Sequence, residues 1–411
     1  MHDLKCRFCG TNLENTFVDL GASPIANDML SAEQLVGMEP FYSLHVYVCH
    51  KCFLVQVPQF EAPSKIFSDE YTYFSSFSES WLAHARDYVE MMMQRFGFDE
   101  NSSVVELASN DGYLLQYFKE RGVPVLGIEP TANTAKAAID KGIPTRVEFF
   151  GESLANELKG EQVRPNLIIG NNVLAHVPDI NDFVGGMKTL LADGGVVTME
   201  FPHLQRLVEM KQFDTIYHEH FSYLSFSAVE RVFKARGLRL FDVQELPTHG
   251  GSLRIFACHA DDAGHKETDA VSSLRDREDS LGMNDLDYYR GFEEKVQGVK
   301  RALLSTLIEI REAGKTVAAY GAAAKGNTLL NYCGIRTDFV EFAVDRSPHK
   351  QGKYLPGTRI PVLDPRAIEE RRPDYILILP WNLKNEIMKQ TEFAREWGGK
   401  FIVPIPEVQI T

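Results

Sequence analysis

The chain has 411 residues, 44% of them hydrophobic and 24% charged, and 57 acidic against 43 basic side chains give it a formal charge of −14. That length exceeds one ordinary core, the composition is that of a folded globular protein, and the acidic balance argues against nucleic acid as a partner. No 18-residue apolar run occurs, and the first residues lack a secretory stretch, so no membrane partner and a cytoplasmic address are expected.

From the N-terminus, four of the six cysteines stand as two Cys-x-x-Cys pairs, Cys6 with Cys9 and Cys49 with Cys52, while Cys258 and Cys333 are alone. In a reducing compartment such pairs are metal ligands rather than disulfides. Each pair brings two thiolates to one ion from a tight turn, for which Gly10, His50 and Lys51 are suitable neighbours. Four thiolates leave no open coordination position, so a structural zinc, one per chain, is expected there.

Apolar runs at 103–107, 125–128, 167–169 and 195–199 alternate with helical patterns and predict βαβ units around a parallel sheet. Residues 238–246 and 252–258 read as an antiparallel hairpin across Gly250 and Gly251. The polar stretch 260–284 reads as a connection, followed by a helix over 286–313. Further strands at 316–320, 339–344, 375–379 and 400–403 predict a second, smaller α/β unit.

The first strand ends in Glu106, and Ser109, Asp111 and Gly112 form a small-residue turn before a helix at 113–120. Glu129 closes the second strand, where its carboxylate suits both hydroxyls of a ribose. The turn is not Gly-x-Gly-x-x-Gly, which counts against NAD. Tyr217, Glu219, His220 and His176 are of acid–base type. His218 and His220 lack the spacing that puts two histidines on one helix face, whereas Tyr217 and His220 share a side, which favours an acid–base pair over a metal. Gly321 to Gly326 lies at a strand-to-helix junction of the second unit, where Lys325 suits a diphosphate. Asp345 ends the next strand, leaving a nicotinamide site as a rival reading of that unit.

Glu106 with residues 109–112, the segments 127–130, 171–176, 217–225 and 320–326, and the paired cysteines resemble the nucleotide-sugar C-methyltransferases, which install a methyl branch at C-3 of a 4-keto-deoxysugar. The resemblance spans nearly the whole chain, and Tyr217 to His220 is its most specific part. It implies an α/β fold: a class I, Rossmann-like methyltransferase domain at 66–260 with a lid at 66–100. A zinc-binding domain at 1–65 precedes it, and a linker helix with a smaller Rossmann-like, nucleotide-sugar-binding domain at 261–411 follows. Ala108 and Asn110 depart from the glycines usual in such a cofactor turn. S-adenosylmethionine is the implied cofactor, held by Tyr71, Ser76, Glu106, Ser109, Asp111, Gly112, Glu129, Asn171 and Asn172. For the sugar, the resemblance and position suggest His249, Ser252, Arg254, Lys325, Tyr354 and Trp381. In enolisation at C-3, His220 or Tyr217 is expected as base, Glu219 as its orienter, and His176 near the keto or hydroxyl oxygen. The expected partner is a nucleotide-linked sugar in deoxysugar biosynthesis, and the expected state a monomer. The rivals are a small-molecule O- or N-methyltransferase, a zinc-ribbon RNA-binding protein, and a dinucleotide-binding scaffold without activity.

Overall fold

The computed structural model describes residues 4–62 and 74–411, and the chain divides into two compact units that do not follow chain order. One draws on residues up to 13, 49–203 and 221–288, the other on 14–48, 204–220 and 289–411. Among the described residues no helix is long and apolar enough to cross a membrane.

Strands β1 (Asn15–Ser23) and β2 (Tyr42–Val48) form an antiparallel hairpin in the second unit. By chain position these residues fall with the cysteine pairs, inside 1–65. Their apolar side chains Phe17, Val18, Leu20, Leu44, Val46 and Val48 are nonetheless buried in the second unit's hairpin, and Phe17 stacks on Phe292 at 4.5 Å and meets Tyr289 edge-on at 6.0 Å. Burial of that face decides where the segment folds.

In the first unit β3 (Val55–Gln56) follows the second cysteine pair. Strands β4 (Val104–Leu107), β5 (Val125–Ile128), β6 (Thr145–Arg146), β7 (Leu167–Asn171) and β8 (Val196–Pro202) run parallel. After β9 (Ser222–Tyr223), which pairs with β3, the expected hairpin appears as β10 (Leu238–Leu246) and β11 (Ser252–His259). Strand β11 inserts antiparallel beside β8, giving the order β10-β11-β8-β7-β4-β5-β6. All four residues of β4 are buried, as befits a strand covered on both faces. The connections run from β4 outward to β6 and then return to β7, so the order reverses between β4 and β7 and opens a crevice at their carboxyl ends.

The helix Glu79–Phe96 covers one face; Ser78 caps it by accepting from the Trp81 N–H, and Gly97 ends it at φ 67°. It contributes Tyr88, Val89 and Met92 to a core with Val104, Leu114, Phe118, Leu167, Phe241 and Phe256. The stretch 260–284 is not a plain connection. It contains the helix Asp269–Ser280, which buries Val271, Leu274 and Glu278. Its polarity misleads because one of the three buried positions is an acid.

In the second unit β12 (Val317–Tyr320), β13 (Ala343–Val344), β14 (Val362–Leu363), β15 (Tyr375–Ile378), β16 (Lys400–Val403) and β17 (Gln409–Ile410) take the order β14-β13-β12-β15-β16-β17, parallel except for β17. The strand expected at 339–344 contracts to two residues because Phe339 and Val340 both donate to the Arg336 carbonyl in a turn. The helix Phe292–Glu312 buries Val296, Val299, Leu303, Leu307 and Ile310, spaced three and four apart along one stripe.

Candidate active site

Both cysteine pairs lie in the first unit, each in a tight turn. Gly10 N–H donates to the Cys6 carbonyl at 2.9 Å with φ 71°, and Phe53 N–H donates to the Cys49 carbonyl at 2.9 Å with φ 59°. The Cys6 and Cys52 sulfurs are 3.5 Å apart, as are those of Cys9 and Cys49, and all four fall within 4.8 Å of one another. Four sulfurs around zinc at the usual bond length stand about 3.8 Å apart, so the donor set and its spacing fit that ion. Gln56 supports the knot by donating from Nε2 to the Cys6 sulfur at 3.2 Å and accepting from the Arg7 N–H at 2.9 Å. Purified protein should carry about one zinc per chain, and Cys49→Ser should lower the unfolding midpoint while the surviving folded fraction keeps its chemistry. Metal analysis finding no zinc without chelators, with four titratable thiols, would overturn this.

The turn after β4 bends sharply. Ala108, Asn110 and Gly112 have φ of 56°, 50° and 74°, so two residues with side chains take the left-handed conformation glycine adopts easily. Gly127 in β5 makes room for the turn, since a Cβ there would stand 2.4 Å from Ser109 Oγ. The Glu129 carboxylate fixes the turn from the end of β5. It accepts from Asn110 N–H at 2.9 Å, from Thr131 N–H at 2.9 Å, and from the Thr131 hydroxyl. Burial raises its pKa against those bonds. Around this crevice Ser109 Oγ, Asp111 Oδ1 and Asn172 Oδ1 are buried without a hydrogen-bond partner among the described residues, and the buried Glu106 carboxyl meets the Tyr113 side chain. Burial pushes Glu106 well above the ordinary carboxylate range. Unpartnered buried acceptors are costly in a finished core and normal in a pocket whose ligand carries donors. This set fits S-adenosylmethionine, whose ribose hydroxyls and ammonium are donors.

Lys141 gathers Ser76 and Asp111, with Nζ 3.0 Å from the Ser76 hydroxyl and 3.2 Å from the Asp111 carboxylate. Asn171 donates to the Tyr113 hydroxyl at 3.3 Å. Tyr71 and part of the lid lie outside the described residues. Glu129→Ala should weaken S-adenosylmethionine by about 1.5–3 kcal/mol, the scale of hydrogen bonds to a charged group. Unchanged affinity by calorimetry would mean that Glu129 neither shapes nor contacts the cofactor site.

In the second unit the segment 217–220 is built around one imidazole. His220 Nδ1 lies 2.9 Å from the Thr215 carbonyl, which can only accept, so Nδ1 carries the hydrogen. Nε2 then holds a lone pair, and the Tyr217 hydroxyl donates to it at 2.8 Å. The expected sharing of a side by Tyr217 and His220 is thus present as a hydrogen-bonded pair. The imidazole is oriented by the Thr215 carbonyl. Glu219, expected as orienter, is buried and accepts from Asn27 Nδ2 at 3.1 Å, and burial pushes its carboxyl up to about 7. His218 turns to the hairpin, with Nε2 3.1 Å from the Ser43 carbonyl, so the two histidines serve different partners.

The other expected residues fall into both units. In the first, half-buried His176 ends a short 3-10 turn, its N–H donating to the Val173 carbonyl at 2.8 Å. His249 Nε2 lies 3.0 Å from Asn172 Nδ2, and Ser252 donates to the Thr248 carbonyl at 2.9 Å, a bond internal to the turn. Arg254 is buried and donates to Glu200 at 2.9 Å. In the second, Lys325 donates to Asn382 at 2.7 Å and lies 5.1 Å over the Trp381 ring, while Trp381 Nε1 donates to Asp214 at 2.7 Å. Tyr354 forms a backbone bridge with Leu30. Asp345 accepts from the Ala322 N–H at 2.7 Å, much as Glu129 holds Asn110. The small residues of this junction also have a packing reason: a Cβ on Gly326 would stand 2.8 Å from Leu379, and one on Gly321 2.6 Å from Pro380.

Sequence reasoning missed Lys141, His84, Glu200, Asn27 and Asp214. Each reaches its partner across a separation that no local spacing encodes; only Glu200, an acid closing a strand at a sheet's carboxyl end, carries a positional signal.

Three domain models match the chain: a zinc-binding domain over residues 6–67, a methyltransferase domain over 81–243, and a C-methyltransferase C-terminal domain over 247–406. The C-methyltransferase NovU of Streptomyces niveus is 36% identical over 406 residues, spanning 99% of this chain and 96% of that protein. Among solved structures, the Burkholderia thailandensis 1,6-didemethyltoxoflavin-N1-methyltransferase covers 51% of this chain and 95% of its own, at 18% identity and a TM-score of 0.38. A Pyrococcus horikoshii protein covers 49% and 99%, at 14% identity and a TM-score of 0.38.

Proposed function

This chain belongs to the C-methyltransferase family, and from that premise we propose that it methylates C-3 of a nucleotide-linked 4-keto-deoxysugar through an enolate. It is an S-adenosylmethionine-dependent enzyme with a class I methyltransferase fold and a zinc site. The cofactor supplies an electrophilic methyl group. Carbon accepts it only after a proton leaves the position beside a carbonyl, so the residues that matter are those that hold and move that proton.

The Tyr217–His220 pair carries the reading. As the Tyr217 oxygen takes the C-3 proton, its own hydrogen passes to His220 Nε2, and the resulting imidazolium keeps its Nδ1–H on the Thr215 carbonyl. An O- or N-methyltransferase has no need of a base that enolises a carbon acid. Glu219, buried and accepting from Asn27 Nδ2 at 3.1 Å, is taken as a positioning residue of this segment. His176 remains assigned to the keto or hydroxyl oxygen, and Lys325 with Trp381 to the nucleotide. The reading takes the enzyme as a cytoplasmic monomer of deoxysugar biosynthesis whose zinc-binding, methyltransferase and C-terminal parts follow the family models at 6–67, 81–243 and 247–406, with 14–48 folding into the second unit.

The test is direct. With a labelled methyl donor and a panel of nucleotide-linked 4-keto-6-deoxyhexoses, NMR should find the label on C-3. A product bearing it on oxygen or nitrogen refutes the proposal.

A further inference from the structure

Glu200 stands in β8 opposite Asn171 of β7, wholly buried at 0% exposure. Its carboxylate accepts from His84 Nε2 at 2.9 Å, from Arg254 Nη2 at 2.9 Å and from the Thr248 hydroxyl at 2.9 Å. These residues come from the helix Glu79–Phe96, from β11 and from the turn between β10 and β11, so nothing local explains their meeting. Desolvation offsets much of what such a carboxylate gains from its donors, so an apolar residue of similar bulk with apolar neighbours would fill this place about as well.

The arrangement fixes the His84 tautomer. A carboxylate only accepts, so Nε2 carries the hydrogen, and the Arg254 guanidinium, 3.1 Å from the same nitrogen, serves Glu200 instead. Nδ1 is left with its lone pair and bonds to no described residue. A carboxylate that orients an imidazole and bares the other nitrogen is the usual way to present a histidine to a ligand.

Its place points to which ligand. Trp81 stacks on His84 at 4.8 Å, lies 6.0 Å from Tyr113 of the β4 turn, and meets His249 edge-on at 5.3 Å. His249 is bonded to Asn172, one of the residues with an unpartnered buried oxygen. His84 therefore belongs to the wall of the cofactor crevice, on its β7–β8 side. Glu129 stands on the other side, at β5. A cofactor whose ribose lies at β5 turns its reactive end toward β7 and β8, where the methyl acceptor must come.

We propose that His84 is an acceptor-binding residue, its Nδ1 taking a hydrogen bond from a hydroxyl or amino group next to the carbon that is methylated, with Glu200 as the residue that positions it. This rests on the sugar reading above.

His84→Gln isolates the claim, since the glutamine amide can still donate to Glu200 but offers no lone pair in place of Nδ1. Kinetics use wild type, the variant and dTDP-linked 4-keto-6-deoxyhexoses; calorimetry uses S-adenosylhomocysteine. The expected result is a roughly 10–100-fold fall in kcat/KM, carried mainly by KM for the sugar. The affinity for S-adenosylhomocysteine should stay within about twofold, and the unfolding midpoint should be unchanged. An unchanged kcat/KM overturns the proposal, and so does a loss matched by weaker S-adenosylhomocysteine binding. If wild type methylates oxygen or nitrogen, the sugar C-methylation reading falls while the kinetic comparison still decides the role of His84. If no probe is methylated, nitrogen NMR of the imidazole in the S-adenosylhomocysteine complex decides: Nε2–H with a bare Nδ1 supports the assignment, and a hydrogen on Nδ1 overturns it.

Discussion

His220→Asn should lose C-3 methylation by roughly 10²–10⁴-fold, the range associated with removing a general base. Asparagine places its amide near the position of Nδ1, so the bond to the Thr215 carbonyl survives while the Nε2 acceptor is lost. Tyr217→Phe removes the other half of the pair at almost no change in volume. If the two pass one proton, the double variant should be scarcely worse than either single, because groups acting as a unit are strongly non-additive. Proton removal can be watched apart from methyl transfer. In heavy water, with S-adenosylhomocysteine in the site, wild type should exchange the sugar C-3 hydrogen for deuterium, and both variants should lose exchange along with methylation. A variant that loses methylation but keeps exchange has an orienting residue, not a base. An active wild type that never exchanges C-3 sinks the enolate route.

The sequence and the structure agree where chemistry is written into short spacing. The two Cys-x-x-Cys pairs, the small-residue turn after β4 and the acid closing β5 are local patterns, and each appears as a formed feature. Tyr217 and His220 are three residues apart and meet through a single turn, so their pairing was also legible. Partnerships across distant segments were not. Glu219 reads as a neighbour of His220, yet its carboxylate accepts from Asn27, which lies in the β1–β2 connection. Arg254, beyond a turn, is expected to face the sugar, but Glu200 accepts from it across an adjacent strand. The same limit explains the N-terminal segment. Proximity in the chain groups 14–48 with the thiols, whereas the stacking of Phe17 on Phe292 puts the hairpin in the second unit.

Glu278→Leu should cost about 3–5 kcal/mol at pH 7, since it leaves several buried donors unpaired at about 1–3 kcal/mol each. Glu278 is 0% exposed and accepts from His203 Nε2 at 2.7 Å, from the N–H groups of Phe226 and Ser227 at 2.7 and 2.8 Å, and from the Ser227 hydroxyl at 2.7 Å. It thus serves the first turn of the helix Phe226–Ala235 alongside its N-cap, Ser225, where a negative charge also faces the positive end of the helix dipole. Leucine of similar bulk would leave those donors buried and unpaired. The pH dependence has a definite sign. Burial alone raises the Glu278 carboxyl, but the bonds from His203 and Ser227 outweigh it and hold it below its ordinary 4.5. A carboxylate lowered on folding stabilises the native state above its unfolded pKa and loses that contribution as pH falls through the folded value. Denaturant unfolding should therefore show wild type far above the variant at pH 7, with the gap narrowing only below about pH 4.5. A gap that stays constant down to pH 3, or one under about 1 kcal/mol at neutrality, would mean that the donors find water or new partners when the carboxylate is removed.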